Sequence, residues 1–238
     1  MQMILYRLFK SLNWCEILNK INQTLVKFCG IRTKQDIKTC QYSDYLGFIV
    51  DVPNAKRSLD YEVAKDLIEF GKKFTTTVAI TTSENLEKVS KINEIIKPDI
   101  IQIHTKLSLS LDKLKTKLDS IKQAYALVIG LEDEKIINED ILKHPIGINA
   151  EYIVIEHSKN GKIKGGSGES RDWTNTKDII RKHSRIRFFV AGGINPKNAF
   201  EVITLTKPTG IDISSGIENP DGTKSSIFVR EILKHKEN

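Results

Sequence analysis

The sequence predicts a single domain of the α/β class, folded as a (β/α)8 TIM barrel. The chain has 238 residues, which is close to the roughly 250 residues of a typical closed barrel. From Thr24 onward, short runs rich in Val, Ile and Phe alternate with longer segments of helical periodicity, as in repeated βα units. An open nucleotide-binding sheet should show GxGxxG after its first strand, whereas that strand here runs into Cys29-Gly30-Ile31-Arg32.

Eight strand candidates follow one another along the chain. Each is a short apolar run of the length expected for a strand, and together they match the strand number of a closed barrel. In order, they are Leu25–Cys29, Tyr45–Val50, Thr75–Ile80, Ile100–His104, Gln123–Ile129, Tyr152–Glu156, Arg187–Val190 and Gly210–Ile213.

Helices are predicted between these strands from apolar residues at helical spacing. Val63, Leu67 and Ile68 form such a face after the second strand candidate. Asn195 followed by Pro196 predicts an N-cap and first helical position after the seventh, because proline there sacrifices no hydrogen bond.

Residues 1–23 stand outside this alternation, so the sequence predicts an N-terminal extension followed by a barrel domain over residues 24–238. Apolar residues of the extension recur at helical spacing and predict a short amphipathic helix. Such a helix could plug the N-terminal end of the barrel or mediate association. A secretory signal is not expected, because Arg7 and Lys10 interrupt the apolar stretch. The apolar positions are Leu5, Leu8, Phe9 and Leu12.

Composition argues against several function classes. The 37 basic and 30 acidic residues give a net charge of +7, but both signs alternate on predicted helix surfaces, so no nucleic-acid partner is expected. Cys15, Cys29 and Cys40 lack the paired spacing of disulfides or zinc sites, which favours a cytoplasmic location. The longest apolar stretches are far shorter than the ~20 residues that cross a bilayer, so no membrane association is expected.

Glycine- and serine-rich turns follow the last three strand candidates. Each could present backbone N–H groups to an anion, although each alone is more typical of an ordinary tight turn. Because barrels commonly bind phosphate at loops after the late strands, the three together predict a phosphate site. The turns are Gly165 to Gly168, Gly192-Gly193 and Ser214-Ser215-Gly216.

Cys29 ends the first strand candidate, at the barrel face where active-site residues gather. A cysteine taken alone is more typical of a small buried hydrophobe. Here it follows Lys27 on the same side of the strand and precedes a predicted helix N-terminus, which predicts more thiolate character near neutral pH. Cys29 is therefore a candidate general base.

Other polar residues fall at the same strand ends. Glu156 is either a solvated carboxylate or a catalytic acid or base, and His157 beside it faces the opposite side of a strand. His104 and Asp212 lie on the fourth and eighth strand candidates. Arg57 follows the second, where its guanidinium is either a solvated charge or a group that recognises a planar carboxylate with paired hydrogen bonds.

Five motifs together resemble the phosphoribosylanthranilate isomerase family over roughly residues 25 to 236. Their combination is far more specific than any single motif, above all the first and the last. The motifs are Lys27-Phe28-Cys29-Gly30-Ile31, Gln102-Ile103-His104, Gly165-Gly166-Ser167-Gly168 with Asp172-Trp173, Val190-Ala191-Gly192-Gly193-Ile194-Asn195-Pro196, and Ile211-Asp212-Ile213-Ser214-Ser215-Gly216-Ile217-Glu218.

The resemblance implies an Amadori rearrangement in tryptophan biosynthesis that needs no metal and no organic cofactor. Its substrate would be N-(5'-phosphoribosyl)anthranilate, a small phosphorylated molecule, and the enzyme would be a monomer or homodimer. Cys29 would be the base and Glu156 the acid, with Arg57 on the anthranilate carboxylate and His104 and Asp212 also contacting substrate. The phosphate would be bound by Gly166, Ser167, Gly192, Gly193, Ser214, Ser215 and Gly216.

The sequence departs from the family pattern in three places. Glu156 stands where the usual acid is Asp, and His157 stands where a small hydroxyl residue is common. Ala55 replaces a customary serine two positions before Arg57. The assignment of the acid, to Glu156 or to His157, is therefore less direct than that of the base.

Two alternatives remain open from the sequence. The first is the analogous isomerase of histidine biosynthesis, which acts on an aminoimidazole substrate, although that family typically has Asp where Cys29 stands. The second is a non-catalytic barrel that binds a phosphate-bearing ligand, with the N-terminal helix used for association.

Overall fold

Eight parallel strands form a closed barrel in the computed structural model, which describes residues 22–82, 86–104, 110–132, 135–157 and 173–234. The strands are β1 (Leu25–Cys29), β2 (Tyr45–Val50), β3 (Thr76–Thr82), β4 (Ile100–His104), β5 (Tyr125–Glu132), β6 (Tyr152–His157), β7 (Phe188–Ala191) and β8 (Gly210–Ile213). β1 pairs in parallel with both β2 and β8, so the sheet closes on itself. The predicted (β/α)8 barrel is confirmed.

Helices follow these strands and surround the barrel. Within the described residues they are α1 (Lys34–Cys40), α2 (Tyr61–Gly71), α3 (Leu86–Ile95), α4 (Leu111–Ile121), α5 (Pro145–Ile148), α6 (Thr174–Lys182), α7 (Ala199–Thr206) and α8 (Ser226–Leu233). In this part of the chain, no helix has the length and apolar character needed to cross a bilayer.

Shorter elements complete the fold. Ser58–Leu59 adds a parallel pair to β2, and Lys135–Ile137 forms an antiparallel hairpin with β5. Two 3-10 helices span Glu139–Leu142 and Ser215–Ile217. Residues 1–21 of the N-terminal extension lie outside the described residues, so its predicted helix stays a prediction.

Local capping explains where α1 and α2 begin. The Thr33 hydroxyl accepts a hydrogen bond from the Asp36 N–H, and the Asp36 carboxylate accepts one from the Thr33 N–H, both at 3.0 Å. Asp60 caps α2 by accepting from the Val63 N–H at 2.8 Å. Such caps typically stabilise a helix by about 1 kcal/mol. Both helices therefore start from fixed points near the C-terminal ends of the strands.

Apolar side chains fill the barrel interior and the layer between strands and helices. Inside the barrel, the Tyr152 and Phe189 rings lie 4.3 Å apart, and Tyr45 meets both of them edge-on. A larger cluster, which includes Phe48 and Ile68, joins the outer faces of the strands to the helices. The barrel is thus a packed core with its site at one end, as expected for this architecture.

The predicted N-cap at Asn195 is wrong. α7 begins at Ala199, with Asn198 in the cap position. The Asn195 side chain instead closes the preceding turn, because its Oδ1 accepts from the Lys197 N–H at 2.9 Å. β5 also ends at Glu132 rather than Ile129, since it continues into the hairpin with Lys135–Ile137.

Candidate active site

A cavity of about 520 Å³ opens at the C-terminal ends of the barrel strands. It contains the predicted site residues that the structure describes, whereas Gly166 and Ser167 lie outside the described residues. Within those residues, no group of three or more His, Cys, Asp or Glu side chains is placed to hold a metal ion. The predicted residues that line the cavity are Cys29, Arg57, His104, Glu156, Gly192, Gly193, Asp212, Ser214, Ser215 and Gly216.

Cys29, the last residue of β1, is partly buried in the cavity wall. Burial raises the pKa of its thiol to about 11, although the nearby charge of Lys27 acts in the opposite direction. The predicted thiolate character is therefore wrong for the substrate-free protein, whose thiol is protonated at neutral pH. The reason is that lost hydration penalises the thiolate more than the neighbouring cations stabilise it.

Lys27 is fully buried at the base of the cavity and joins two strands across the barrel. Its ammonium donates to Asp212 Oδ2 at 2.6 Å and to Gln102 Oε1 at 2.9 Å. Burial opposes its charge most strongly, but Asp212, together with Cys29 and Tyr152, outweighs that effect and holds the pKa of Lys27 above its usual value. Asp212 Oδ1 is buried and has no hydrogen-bond partner among the described residues. That oxygen is available to accept a hydrogen bond from a ligand in the cavity.

The Glu156 side chain lines the cavity beside His104. Burial raises the pKa of the Glu156 carboxyl to about 7, and the negative charge of Asp212 adds to the effect. The His104 Nδ1 lies 3.8 Å from Glu156 Oε2. Burial and the charge of Lys27 lower the pKa of His104 to about 4, so its ring is neutral at pH 7. Glu156 is therefore suited to donate a proton near neutral pH.

His157 lies on the opposite face of β6, as the alternation of a strand requires. Its Nε2 lies 2.6 Å from Thr176 Oγ1, and its ring packs edge-on against Trp173 with centroids 4.7 Å apart. Both partners belong to the start of α6, and His157 is not among the residues that line the cavity. Of the two neighbours, Glu156 is the one that the strand presents to the site.

The turn after β7 forms part of the wall predicted to bind phosphate. Gly192 and Gly193 have φ angles of +98° and +76°, in the left-handed region that favours glycine. The Gly193 carbonyl accepts from the side-chain amides of Asn195 at 3.3 Å and Asn198 at 3.0 Å. The asparagines after this turn therefore fix its conformation.

The turn after β8 packs directly against the turn after β7. A Cβ atom at Gly216 would lie 1.8 Å from the Ile194 carbonyl oxygen, so only glycine allows this approach. Ser214 and Ser215 precede it and open to the same cavity. The structure thus brings together the two described turns that the sequence separates by about 20 residues.

Arg57 lines the cavity, but part of its guanidinium already has a partner. Its Nε and Nη2 donate to Glu218 Oε1 and Oε2 at 2.6 and 2.5 Å. Glu218 also accepts from Lys224 at 3.0 Å. Sequence reasoning gave neither Glu218 nor Lys224 a role, since Glu218 was only part of a motif and Lys224 carries no local signal.

A family model described as N-(5'-phosphoribosyl)anthranilate (PRA) isomerase matches residues 26–235. The N-(5'-phosphoribosyl)anthranilate isomerase of Methanococcus aeolicus is 31% identical over 218 residues, which cover 88% of this chain and 96% of the relative. The isomerase of the same name from Methanosarcina acetivorans is 30% identical over 224 residues, covering 89% and 92% of the two chains.

Solved structures of the same kind share the fold. The phosphoribosyl anthranilate isomerase of Thermotoga maritima aligns with a TM-score of 0.73 at 24% identity, covering 90% of this chain and 98% of that chain. A complex of phosphoribosyl anthranilate isomerase with reduced 1-(o-carboxyphenylamino)-1-deoxyribulose 5-phosphate aligns with a TM-score of 0.70 at 22% identity, covering 90% and 98%.

Proposed function

The chain belongs to the N-(5'-phosphoribosyl)anthranilate isomerase family, and from this membership we propose how its own residues carry the reaction. The protein is an isomerase of tryptophan biosynthesis. It converts N-(5'-phosphoribosyl)anthranilate to 1-(2-carboxyphenylamino)-1-deoxyribulose 5-phosphate. In the proposed mechanism Cys29 is the general base and Glu156 the general acid.

The observation that carries this proposal is that Cys29 and Glu156 line the same cavity as Arg57 and the glycine- and serine-rich turns after β7 and β8. The cavity can place the two ends of the substrate. Gly192, Gly193 and the Ser214 to Gly216 turn would bind the phosphate through backbone N–H groups and hydroxyls. Arg57 would bind the anthranilate carboxylate through paired charge-assisted hydrogen bonds. Gly166 and Ser167 of the predicted phosphate site lie outside the described residues and stay proposals of the same kind.

Glu156 would act first. Its protonated carboxyl gives the proton to the furanose ring oxygen, the C1'–O bond breaks, and the nitrogen lone pair forms the C1'=N bond of an iminium. A pKa of about 7 leaves a large fraction of Glu156 protonated at neutral pH. The side chain is one methylene longer than the Asp usual in the family, so Glu156→Asp compares the two lengths directly.

Cys29 would act second. The iminium places a positive charge next to C2', and a nearby opposite charge lowers the pKa of a thiol. Cys29, as the thiolate, then takes the C2' proton. The C–H electrons form the C1'=C2' bond and the C1'=N electrons return to nitrogen, which gives an enolamine. Transfer of a proton from the 2'-hydroxyl to C1' completes the ketone. Asp212 Oδ1, for which the described part of the chain supplies no hydrogen-bond partner, would accept a hydrogen bond from the substrate during these steps.

Cys29→Ala tests the proposal. We expect turnover to fall by a factor of about 10² to 10⁴, the usual contribution of a general base, while KM changes little. The measurement is the decay of anthranilate-type fluorescence after freshly generated N-(5'-phosphoribosyl)anthranilate is added. Cys40→Ala is the matched control, because Cys40 is buried away from the cavity. Undiminished turnover in Cys29→Ala would remove the base assignment.

The cellular setting is part of the same proposal. We propose that the protein acts in the cytoplasm on this small phosphorylated substrate, as a monomer or a homodimer. Family membership supports the substrate and the setting. Light scattering of the purified protein distinguishes the two oligomeric states.

A further inference from the structure

Within the part of the chain that the structure describes, the hydrogen bonds of Arg57 leave one edge of its guanidinium for a ligand. A guanidinium has two edges that can bind a carboxylate in a paired fashion, one formed by Nε and Nη2 and the other by Nη1 and Nη2. Glu218 occupies the Nε–Nη2 edge. The Nη1–Nη2 edge is therefore the one that can pair with a substrate carboxylate.

Glu218 is held in turn by Lys224. The Lys224 ammonium is fully buried and donates to Glu218 Oε1 at 3.0 Å. It also donates to the Cys29 carbonyl at 2.6 Å and to the Ser214 carbonyl at 3.2 Å. An ammonium has three donors, and here each has an acceptor. Lys224 thus joins the backbone at the base, the start of the phosphate turn and the carboxylate that orients Arg57.

Both members of the Lys224–Glu218 ion pair are buried away from solvent. The Glu218 side chain is 9% exposed. Burial alone would raise the pKa of its carboxyl, but the hydrogen bonds from Arg57 and Lys224 outweigh that effect and hold the pKa below its usual value. Glu218 therefore stays ionised at neutral pH and keeps its paired hydrogen bonds to the Arg57 guanidinium.

We propose that Glu218 and Lys224 are positioning residues that aim the Nη1–Nη2 edge of Arg57 at the substrate carboxylate and tie Arg57 to the backbone of Cys29. The inference rests on the proposed function, because it assigns Arg57 to the anthranilate carboxylate. Neither Glu218 nor Lys224 touches the reacting atoms. Glu218 acts through Arg57, and Lys224 acts through Glu218 and through the carbonyls that it holds.

Glu218→Gln separates this role from a structural one. The amide keeps the volume of the carboxyl but turns an N–H donor toward the donors of Arg57, so one bond becomes a repulsion. We expect KM to rise roughly tenfold with kcat within about threefold of wild type, because binding is lost uniformly. Competitive inhibition by inorganic phosphate, which does not need Arg57, should be unchanged.

A double-mutant cycle with Arg57→Ala gives the decisive readout. If Glu218 acts only through Arg57, Glu218→Gln has no further effect on kcat/KM once the arginine is gone. Additive losses in the double variant, or an unchanged KM in Glu218→Gln, would refute the inference. Glu139→Gln is the matched control, because Glu139 also pairs with a lysine but lies on the surface.

Lys224→Met tests the second half of the inference. Removal of three buried donors should raise KM and also lower kcat, because the Cys29 carbonyl loses its anchor, and Lys224→Arg should restore part of both. A kcat that stays at the wild-type value in Lys224→Met would refute the link to Cys29. Should Glu218→Gln fail to fold, Glu218→Asp supplies the same KM comparison with the charge kept.

Native protein in the same fluorescence assay separates a failure of the positioning roles from a failure of the proposed function. Native turnover with additive effects in the cycle refutes the positioning roles alone. No turnover by well-folded native protein refutes the proposed function, and the positioning roles with it.

Discussion

When a base and an acid act together, the base usually has the lower pKa. Here Cys29, the proposed base, has a higher pKa than Glu156, the proposed acid. Burial places the Cys29 thiol at about 11 and the Glu156 carboxyl at about 7. In the proposed mechanism, the reactive form needs the Cys29 thiolate and the protonated Glu156 carboxyl together. At any pH only a small fraction of the free enzyme meets both conditions, and that fraction depends on pH in a characteristic way.

The pH profile of kcat/KM follows from these two values. Below the pKa of Glu156 the thiolate fraction rises tenfold per pH unit while the carboxyl stays protonated. Between the two pKa values each tenfold gain of thiolate is cancelled by a tenfold loss of protonated acid. We therefore expect kcat/KM to rise to about pH 7 and then to stay level.

In Glu156→Gln, the pH range over which kcat/KM is constant should disappear. Without a titrating acid, kcat/KM is lower overall but should continue to rise with pH toward the pKa of Cys29, at about 11. Steady-state rates of both proteins across a range of buffers make the comparison, with Glu139→Gln as the surface control. Identical profiles in wild type and Glu156→Gln would mean that another group sets the break.

Sequence reasoning located these side chains but could not predict their protonation or their partners. The positions of Cys29 and Glu156 at strand ends were predictable, because each ends an apolar run of the length expected for a strand. The thiol pKa was predicted in the wrong direction, since it depends on how much water the folded cavity admits. Lys27 meets Asp212 185 residues further along the chain, and Lys224 meets Cys29 195 residues back. Pairs at such separations leave no local pattern.

Among the elements, the turns after β7 and β8 are the pair to which we assign phosphate binding. Their contact is tight at Gly216, where a Cβ would lie 1.8 Å from a carbonyl oxygen. The same kind of contact occurs at Gly147 in α5, where a Cβ would lie 1.9 Å from the Ile141 carbonyl oxygen. Gly147 does not line the cavity, so the two glycines make a matched pair.

Gly216→Ala should weaken phosphate binding, and Gly147→Ala should not. Both substitutions force a backbone shift, and overpacking of this kind costs about 1–3 kcal/mol of stability. Only the first moves the Ser214 to Gly216 turn, so we expect KM and the inhibition constant of inorganic phosphate to rise at least about tenfold in that variant alone. Equal phosphate affinity in the two variants would contradict the role of the turn. Thermal melts measure the shared loss of stability.

At this scale the order of the elements was predictable and their exact limits were not. Apolar runs located all eight strands, because a strand buried in a parallel sheet needs such a run wherever it occurs. The start of α7 was misplaced at Asn195, since asparagine closes a turn as readily as it caps a helix. The hairpin that lengthens β5 depends on the pairing of Leu131 with Ile136, which periodicity does not reveal.

At the scale of the whole molecule, an aromatic cluster packs the interior of the barrel. Phe189, Tyr152 and Tyr45 belong to three different strands and meet in its interior. Closure of the barrel was predicted from the missing nucleotide-binding motif and from the glycine-rich turns after the late strands, because eight parallel strands could also form an open sheet. The pairing of β1 with β8 that achieves closure joins the two ends of the described barrel, and only the folded chain shows its register.

Phe189→Ala should destabilise the whole barrel. Removal of a fully buried phenyl ring leaves a cavity and costs about 3–5 kcal/mol. Phe228→Ala is the control, because Phe228 is 39% exposed and its loss should cost only about 1–2 kcal/mol. Urea unfolding should show a lower midpoint with an unchanged slope for Phe189→Ala. Similar midpoints for the two variants would contradict the central position of this cluster.

The same packed interior also constrains how molecules enter and leave. Tyr152, Phe189 and the Lys27–Asp212 pair fill the barrel beneath the cavity. The opening at the C-terminal ends of the strands therefore serves as both entrance and exit. A ketose product must depart through the passage that the next aminoaldose needs, so the two ligands exclude one another. Product inhibition should accordingly be competitive, and the rate of product release limits how soon another cycle begins.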